Sequence, residues 1–496
     1  MILEINTVNF IYKISKKYKK EVNSFKDMIK LGEIPEEEWE KILYGGTVKY
    51  IWLMGIWKRS KTSRQIALKN INEYKQLIED IKEEDILGSA YSITDYTPNP
   101  IIGSFKDLTK VKGILNKYNV GLILDFVPNH FGIDNNYINR KIFIETDFEG
   151  YIKNPDLFHV IVKDNKVRYI AYGKDPFFPP WIDTLQINIF SKEAQNILLK
   201  SLKKISRYAD GVRVDMSMLL LKNIFHNNWK DYLDSEILKN IEREEEFWSI
   251  ATKSTDLIFI AECYWNTEYK LLELGFDYTY DKRFLDAIHS LSINELRYLI
   301  SLNFDFQRRM VRFLENHDEI RIASKIDQFN SPSILTLFFT CLGMKMIYWE
   351  QLEGQTVKIP VQIIRCKDIY KSITMYSKIL EIYQQVKNLL ENGKFFVLKV
   401  NGIFDETYRN IIAYGYKLNS KILIVTLNLS PIYSQGIIDI RECYPKNLLS
   451  EIPTEKEIIL FELINRNRYY RKLSRLHVIL PPFQPQLFLG DLIEED

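Results

Sequence analysis

Eight times before residue 392 a short apolar run is followed by a stretch with helical spacing, and this alternation limits the fold more than any other feature. The runs fall at 2–7, 50–55, 120–126, 211–215, 257–262, near 276–279, at 312–315 and at 346–348. Helix-like stretches follow them, for example 105–118, 191–208, 281–302 and 331–342. Strand then helix, repeated eight times, predicts an α/β fold of the (β/α)8 TIM-barrel type. Between 131 and 188 the periodicity is lost, which predicts an irregular insertion after strand three. Beyond Gly393 short alternating strands such as 422–427 and 477–480 are separated by Asn, Pro and Gly, the pattern of an antiparallel β-sandwich. A chain of 496 residues is too long for one core. It is expected to divide into a barrel (1–127 and 189–392), an inserted domain (128–188) and a C-terminal β-sandwich domain (393–496).

The most unusual of these runs is Asp210-Gly-Val-Arg213-Val-Asp215. Helical stretches on both sides predict a parallel strand buried on both faces, where an arginine and aspartates are costly unless they are paired. Other strand ends repeat the pattern. Asp125 closes strand three and is followed by Asn129 and His130; Glu262 closes strand five; Asn316, His317 and Asp318 follow strand seven. A closed barrel brings all these C-terminal ends onto one face, where the active sites of this fold lie.

Carboxylates gathered with one arginine and two histidines suit glycosidic bond cleavage with retention. That chemistry needs a nucleophilic carboxylate and a second carboxyl acting as acid and then base, about 5 Å apart. Asp215 and Glu262, on neighbouring strands, are the natural pair. Arg213, two residues before Asp215 on the same face, is expected to hold that aspartate ionised. Partly apolar neighbours of Glu262 are expected to favour its protonated form. Asp318, His130 and His317 can bind sugar hydroxyls. Trp265, three residues past Glu262, and the apolar pair Met218-Leu219 would favour a sugar acceptor by excluding water.

Composition agrees with a soluble carbohydrate enzyme. Thirty Tyr and eight Trp suit surfaces that stack on sugar rings. A net charge of +2 implies no nucleic-acid partner, and no apolar stretch reaches the roughly 18–20 residues needed to span a bilayer. The start has no basic region followed by a long apolar run, and the four cysteines show no CxxC spacing. A reduced cytoplasm is the expected compartment.

Four stretches resemble, in order, the signatures of the α-amylase family of glycoside hydrolases: Asp125-Phe-Val-Pro-Asn129-His130, Gly211-Val-Arg213-Val-Asp215, Ile260-Ala-Glu262 and Phe313-Leu-Glu-Asn316-His317-Asp318. The resemblance extends over the barrel, the insertion and the terminal sandwich, and is nearest to uncharacterised intracellular members sharing motifs like Asp175-Pro-Phe-Phe-Pro-Pro-Trp181. It implies Asp215 as nucleophile, Glu262 as general acid/base and Asp318 as transition-state stabiliser. Arg213, His130, His317 and Asn316 would hold the sugar at the cleavage point, Asp125 would support them, and Tyr91 would stack beneath the scissile sugar. The family's structural calcium often uses an aspartate whose place here is taken by Gln186, together with Asn129 and the histidine carbonyl. Calcium prefers about six to eight oxygen ligands with several carboxylates, so no required cofactor is expected and Asn129 is a metal ligand only if a calcium site is retained. The Lys-His pair often found past the nucleophile is Met218-Leu219 here. Together these features predict a retaining enzyme cleaving α-1,4-glucosidic bonds in malto-oligosaccharides or related α-glucans. The alternatives are an α-glucan transglycosylase on the same site and, from another class, a non-catalytic carbohydrate-binding barrel.

Overall fold

The computed structural model describes residues 1–492 apart from 20, 23, 164–165, 241–242, 326–330, 372–373, 447, 449–451 and 453. Eight parallel strands close into a barrel: β1 Ile2–Asn6, β2 Tyr50–Met54, β3 Gly121–Phe126, β4 Gly211–Val214, β5 Ile258–Ala261, β6 Tyr278–Tyr280, β7 Met310–Arg312 and β8 Met344–Tyr348. The predicted (β/α)8 class is therefore the observed one. Strand β4 is buried along its whole length, as a parallel strand covered on both faces must be. Gly211 begins it for a steric reason: a Cβ there would lie 2.9 Å from the Ile258 carbonyl oxygen of the adjacent strand. Helices set the spacing between strands and are capped by their own sequence. Ser104 and Asp107 form a reciprocal capping box at the start of Phe105–Lys117, and Ser191 caps Lys192–Ile205.

Compactness divides the described chain into two units, one of residues 1–280 with 358–368, the other of residues 281–357 with 369–496. The first holds β1–β6 and the insertion. Strand register levels its chemistry: Arg213 pairs with Asp125 on one side and with Ile260 on the other. Asp215 and Glu262 are each the first residue past their strands, and their amides continue the ladders to Phe126 O and Val214 O.

The insertion is more regular than predicted. His130–Gly132 pairs with Thr184–Gln186, and Glu145–Thr146, Lys166–Ala171 and Phe158–Lys163 form a three-stranded antiparallel sheet. The two longer strands hid because Val160, Val162 and Val167 stay exposed, so their apolar residues do not mark a buried face.

In the second unit, strand β7 begins two residues earlier than expected and stops at Arg312, whose Nε lies 3.0 Å from Asp281 Oδ2. The single helix expected over 281–302 is two, Lys282–His289 and Ile293–Ser301, separated at Leu291, which has a left-handed φ of 50°. Beyond β8 a seven-stranded antiparallel sheet and a two-stranded ladder build the predicted sandwich. Ile438, Leu476, Val478 and Leu480 of the ladder pack into one core with Phe396, Ile422, Ile424, Leu460 and Phe488 of the larger sheet. Among the described residues no helix is long and apolar enough to cross a membrane.

Candidate active site

Arg213, near the C-terminal end of β4, is 1% exposed. Its Nη1 is 2.9 Å from Asp215 Oδ1, its Nη2 is 2.7 Å from Glu262 Oε2, and Asp125 Oδ1 stands 3.9 Å from Nη1. Aromatic faces enclose the cation: the rings of Trp52, Tyr91 and Tyr280 lie 5.0, 5.3 and 5.8 Å from Cζ, and Nε donates to Tyr280 Oη. The sequence-predicted residues Asp125, Tyr91, Arg213, Asp215 and Glu262 are thus brought together. Trp52 and Tyr280 belong to the same cluster and were missed. They sit in apolar strand runs, where an aromatic reads as core.

Each carboxylate has a distinct setting. Asp125 is buried, with Oδ1 accepting from Trp52 Nε1 and Oδ2 from the Gly55 amide, while its carbonyl accepts from Trp57 Nε1. Glu262 Oε2 accepts from the Met216 amide at 2.8 Å and Oε1 from Tyr264 Oη at 2.8 Å. Its neighbours are therefore hydrogen-bond donors, not the apolar surroundings expected from Ile260, Ala261 and Trp265. Met216, whose amide makes that bond, takes a left-handed φ of 43°.

The expectation that Arg213 keeps Asp215 ionised is corrected in the free protein. Burial, and then the charge on Glu262, outweigh Arg213, and the Asp215 pKa rises to about 8. The Glu262 and Asp125 charges add to the cost of an anion at this buried position, and taking up a proton relieves it. His130 is neutral, its pKa lowered to about 4 by burial although its ring donates to the Tyr91 backbone. The Trp181 ring lies 5.2 Å from it.

Trp265 is 38% exposed with a left-handed φ of 63°, and its ring meets that of Phe177. Met218 and Leu219 are buried in a short 3-10 turn, Ser217–Leu220. In the second unit, Asn316 Oδ1 accepts from the amides of Asp318 and Glu319, and His317 Nε2 is 2.8 Å from Asp318 Oδ2. The Asp318 side chain is 54% exposed, whereas His317 and Asn316 are buried.

The residues do not fit the implied calcium. Gln186 Nε2 donates to Asn129 O at 2.9 Å, to Asn129 Oδ1 at 3.1 Å and to Ile187 O at 3.1 Å. A neutral amide donor stands where the carboxylate would be and already occupies the Asn129 side-chain oxygen that a cation would need. Two of those three acceptors are backbone carbonyls, which fixes the orientation of the amide. Among the described residues no group of three or more His, Cys, Asp or Glu is placed to hold a metal ion.

No family model matches the chain. It is 22% identical to alpha-amylase 3 of Dictyoglomus thermophilum over 405 residues, covering 69% of this chain and 74% of that enzyme. A 1,4-alpha-glucan branching enzyme of Chlamydia muridarum is 31% identical over 135 residues, 25% of this chain and 15% of that enzyme. An alpha-amylase of Geobacillus thermoleovorans, solved in complex with acarbose, superposes with a TM-score of 0.65 at 15% identity, covering 100% of this chain and 98% of that one.

Two outcomes test the site. The melting temperature should be the same, to within about 1 °C, in excess chelator and in millimolar calcium, because no metal contributes binding energy to the native state. A chelator-induced fall of several degrees would contradict the Gln186 reading. Asp215→Asn probes the buried charge. A carboxyl raised from 3.8 to about 8 contributes stability that is present at low pH and lost as pH climbs through that window. The variant should therefore gain on the wild type in urea denaturation between pH 5 and pH 9, and a constant gap would contradict the assignment. The chain has the fold of the α-amylase family, with residues of three of that family's signatures gathered around Arg213.

Proposed function

We propose that the protein is a retaining α-glycosidase acting on α-1,4-linked glucose chains through a covalent glucosyl–Asp215 ester. The observation that carries this reading is the single guanidinium gripping both Asp215 and Glu262. Two carboxylates held on the terminal nitrogens of one arginine are close together, which favours the retaining spacing of about 5 Å over the inverting one of about 6.5–9.5 Å. In the free protein Asp215, with its raised pKa, takes up a proton.

With sugar bound, the productive form carries that proton on Glu262 and leaves Asp215 as the anion hydrogen-bonded to Arg213. The Asp215 carboxylate attacks the anomeric carbon while Glu262 protonates the departing glycosidic oxygen, which leaves as a hydroxyl. Glu262 then takes a proton from the incoming acceptor as the acceptor's oxygen displaces Asp215. Tyr91 and His130 would hold the sugar ring from the first unit, with Asp125 fixing Arg213. The parts of Asp318, His317 and Asn316 in stabilising the transition state rest on the motif resemblance.

A second reading, transfer to a sugar hydroxyl in place of water, is favoured by the match to a branching enzyme and uses the same intermediate. The acarbose complex of the Geobacillus enzyme supports an oligosaccharide ligand. Sparse cysteines, with Cys263 and Cys341 buried as thiols, support a cytoplasmic setting.

Asp215→Asn and Glu262→Gln should each lower kcat on maltotriose by several orders of magnitude while the circular dichroism spectrum stays native. Near-normal turnover in either variant would refute the role. Product chromatography on the wild type separates the two readings. Chains longer than maltotriose signify transfer, and glucose with maltose alone signifies hydrolysis.

A further inference from the structure

A cavity of about 250 Å³ opens in the second unit, between the helix Ile293–Ser301, the end of the strand Lys394–Leu398 and the start of the strand Ile411–Leu418. Ile300, Leu398 and Ile412 give it an apolar lining, and all three are buried. Its charged lining consists of Arg297, Lys399 and Arg409, and among the described residues no carboxylate joins them there. Three cations against an apolar wall are an arrangement that folding alone does not favour.

Arg297 is the unusual member. It is partly buried, its Nη1 donates to Asn294 Oδ1 at 3.0 Å, and its Nη2 donates to the carbonyls of Arg409 and Ile411 at 2.7 and 3.4 Å. All three acceptors are neutral, and among the described residues no carboxylate pairs with this guanidinium. Burial lowers its pKa, as it does for a cation short of countercharge. Lys399 and Arg409 do have carboxylates, Glu442 at 3.3 Å and Glu406 at 2.6 Å. All four of those side chains are at least 45% exposed, where ion pairs are weak and readily exchanged. Tyr408 completes the polar lining and is set in place by its surroundings. Its turn, Thr407–Asn410, is anchored by Asp405, whose Oδ1 accepts from the Thr407 amide and hydroxyl at 2.9 and 2.6 Å and whose Oδ2 accepts from Gln435 Nε2 at 3.0 Å. Gly402 leaves room for the Tyr408 ring, since a Cβ there would come within 3.0 Å of it.

We propose that this cavity is a binding site for a small phosphate monoester, such as a sugar phosphate, built from residues that the carboxylate cluster around Arg213 does not use. The phosphate supplies the countercharge that Arg297, Lys399 and Arg409 lack within the lining, and a guanidinium fork matches its oxygens. Tyr408 and the apolar wall suit the C–H face of a sugar ring on the ester side. The cavity is smaller than the roughly 300–1,000 Å³ of pockets that enclose drug-sized ligands, which limits the occupant to about one ring with its phosphate. This inference stands apart from the α-glycosidase reading and would survive its failure.

Isothermal titration calorimetry of the full chain at low salt tests the site with glucose 6-phosphate, inorganic phosphate and glucose. Glucose 6-phosphate should bind best, inorganic phosphate about ten-fold more weakly for want of a ring, and glucose more weakly still for want of a charge. Arg297→Gln should weaken glucose 6-phosphate about thirty-fold. Because Arg297 also holds two backbone carbonyls, the exposed Lys399→Gln serves as a second variant. It should weaken glucose 6-phosphate about five-fold while the melting temperature stays at the wild-type value. No binding of glucose 6-phosphate, an affinity unchanged in either variant, or equal affinity for glucose would overturn the site. Inorganic phosphate binding as tightly as the ester would overturn the assignment to a phosphate monoester.

Discussion

A positive charge that cannot reach water governs this molecule. Arg213 sits on a strand with no exposed residue, and a lone guanidinium there would be far too costly to bury. Asp215 and Glu262 compensate it directly, Asp125 from further off, and three aromatic rings fill the remaining directions. Removing Arg213 would cost about 3–5 kcal/mol, because it would leave buried carboxylates without their cation. The same arrangement is over-supplied with negative charge, so it retains a proton near neutrality. A cluster built only for stability would match one cation with one anion. The surplus is what makes the cluster chemically useful.

Two residues of this cluster are set by backbone register as much as by side chains. Asp215 and Glu262 are level because parallel ladders from β3 to β4 and from β4 to β5 run without a bulge up to them. Immediately past Asp215 the chain turns through the left-handed Met216, and the freed amide is spent on Glu262. The nucleophile candidate and the acid candidate are thereby joined twice, through Arg213 and through the backbone that follows Asp215.

The barrel was legible in the sequence because each buried parallel strand is a dense apolar run and each helix has a clear amphipathic spacing. The charged strand ends were legible for the converse reason, as polar residues placed where burial makes them expensive. Tertiary context hid the rest. Arg312 could not be told from a strand centre until Asp281 was seen to receive it. Met218 and Leu219 stand beside the site in sequence but fold into the core. Gln186 declares only a missing carboxylate, and its role as a donor strapping Asn129 needs the coordinates. Phe177 is conspicuous in its motif, yet nothing local says that its ring stays in water.

The central claim is that Asp215, gripped by Arg213 and level with Glu262, becomes covalently bonded to the substrate. Its most direct test is to trap the ester with a fluorinated, mechanism-based α-glucosyl fluoride and locate the label by peptide mass spectrometry. A glycosyl mass on the peptide at Asp215 is the predicted result. A label on Glu262 or another carboxylate, or turnover with no trapped ester, would contradict it.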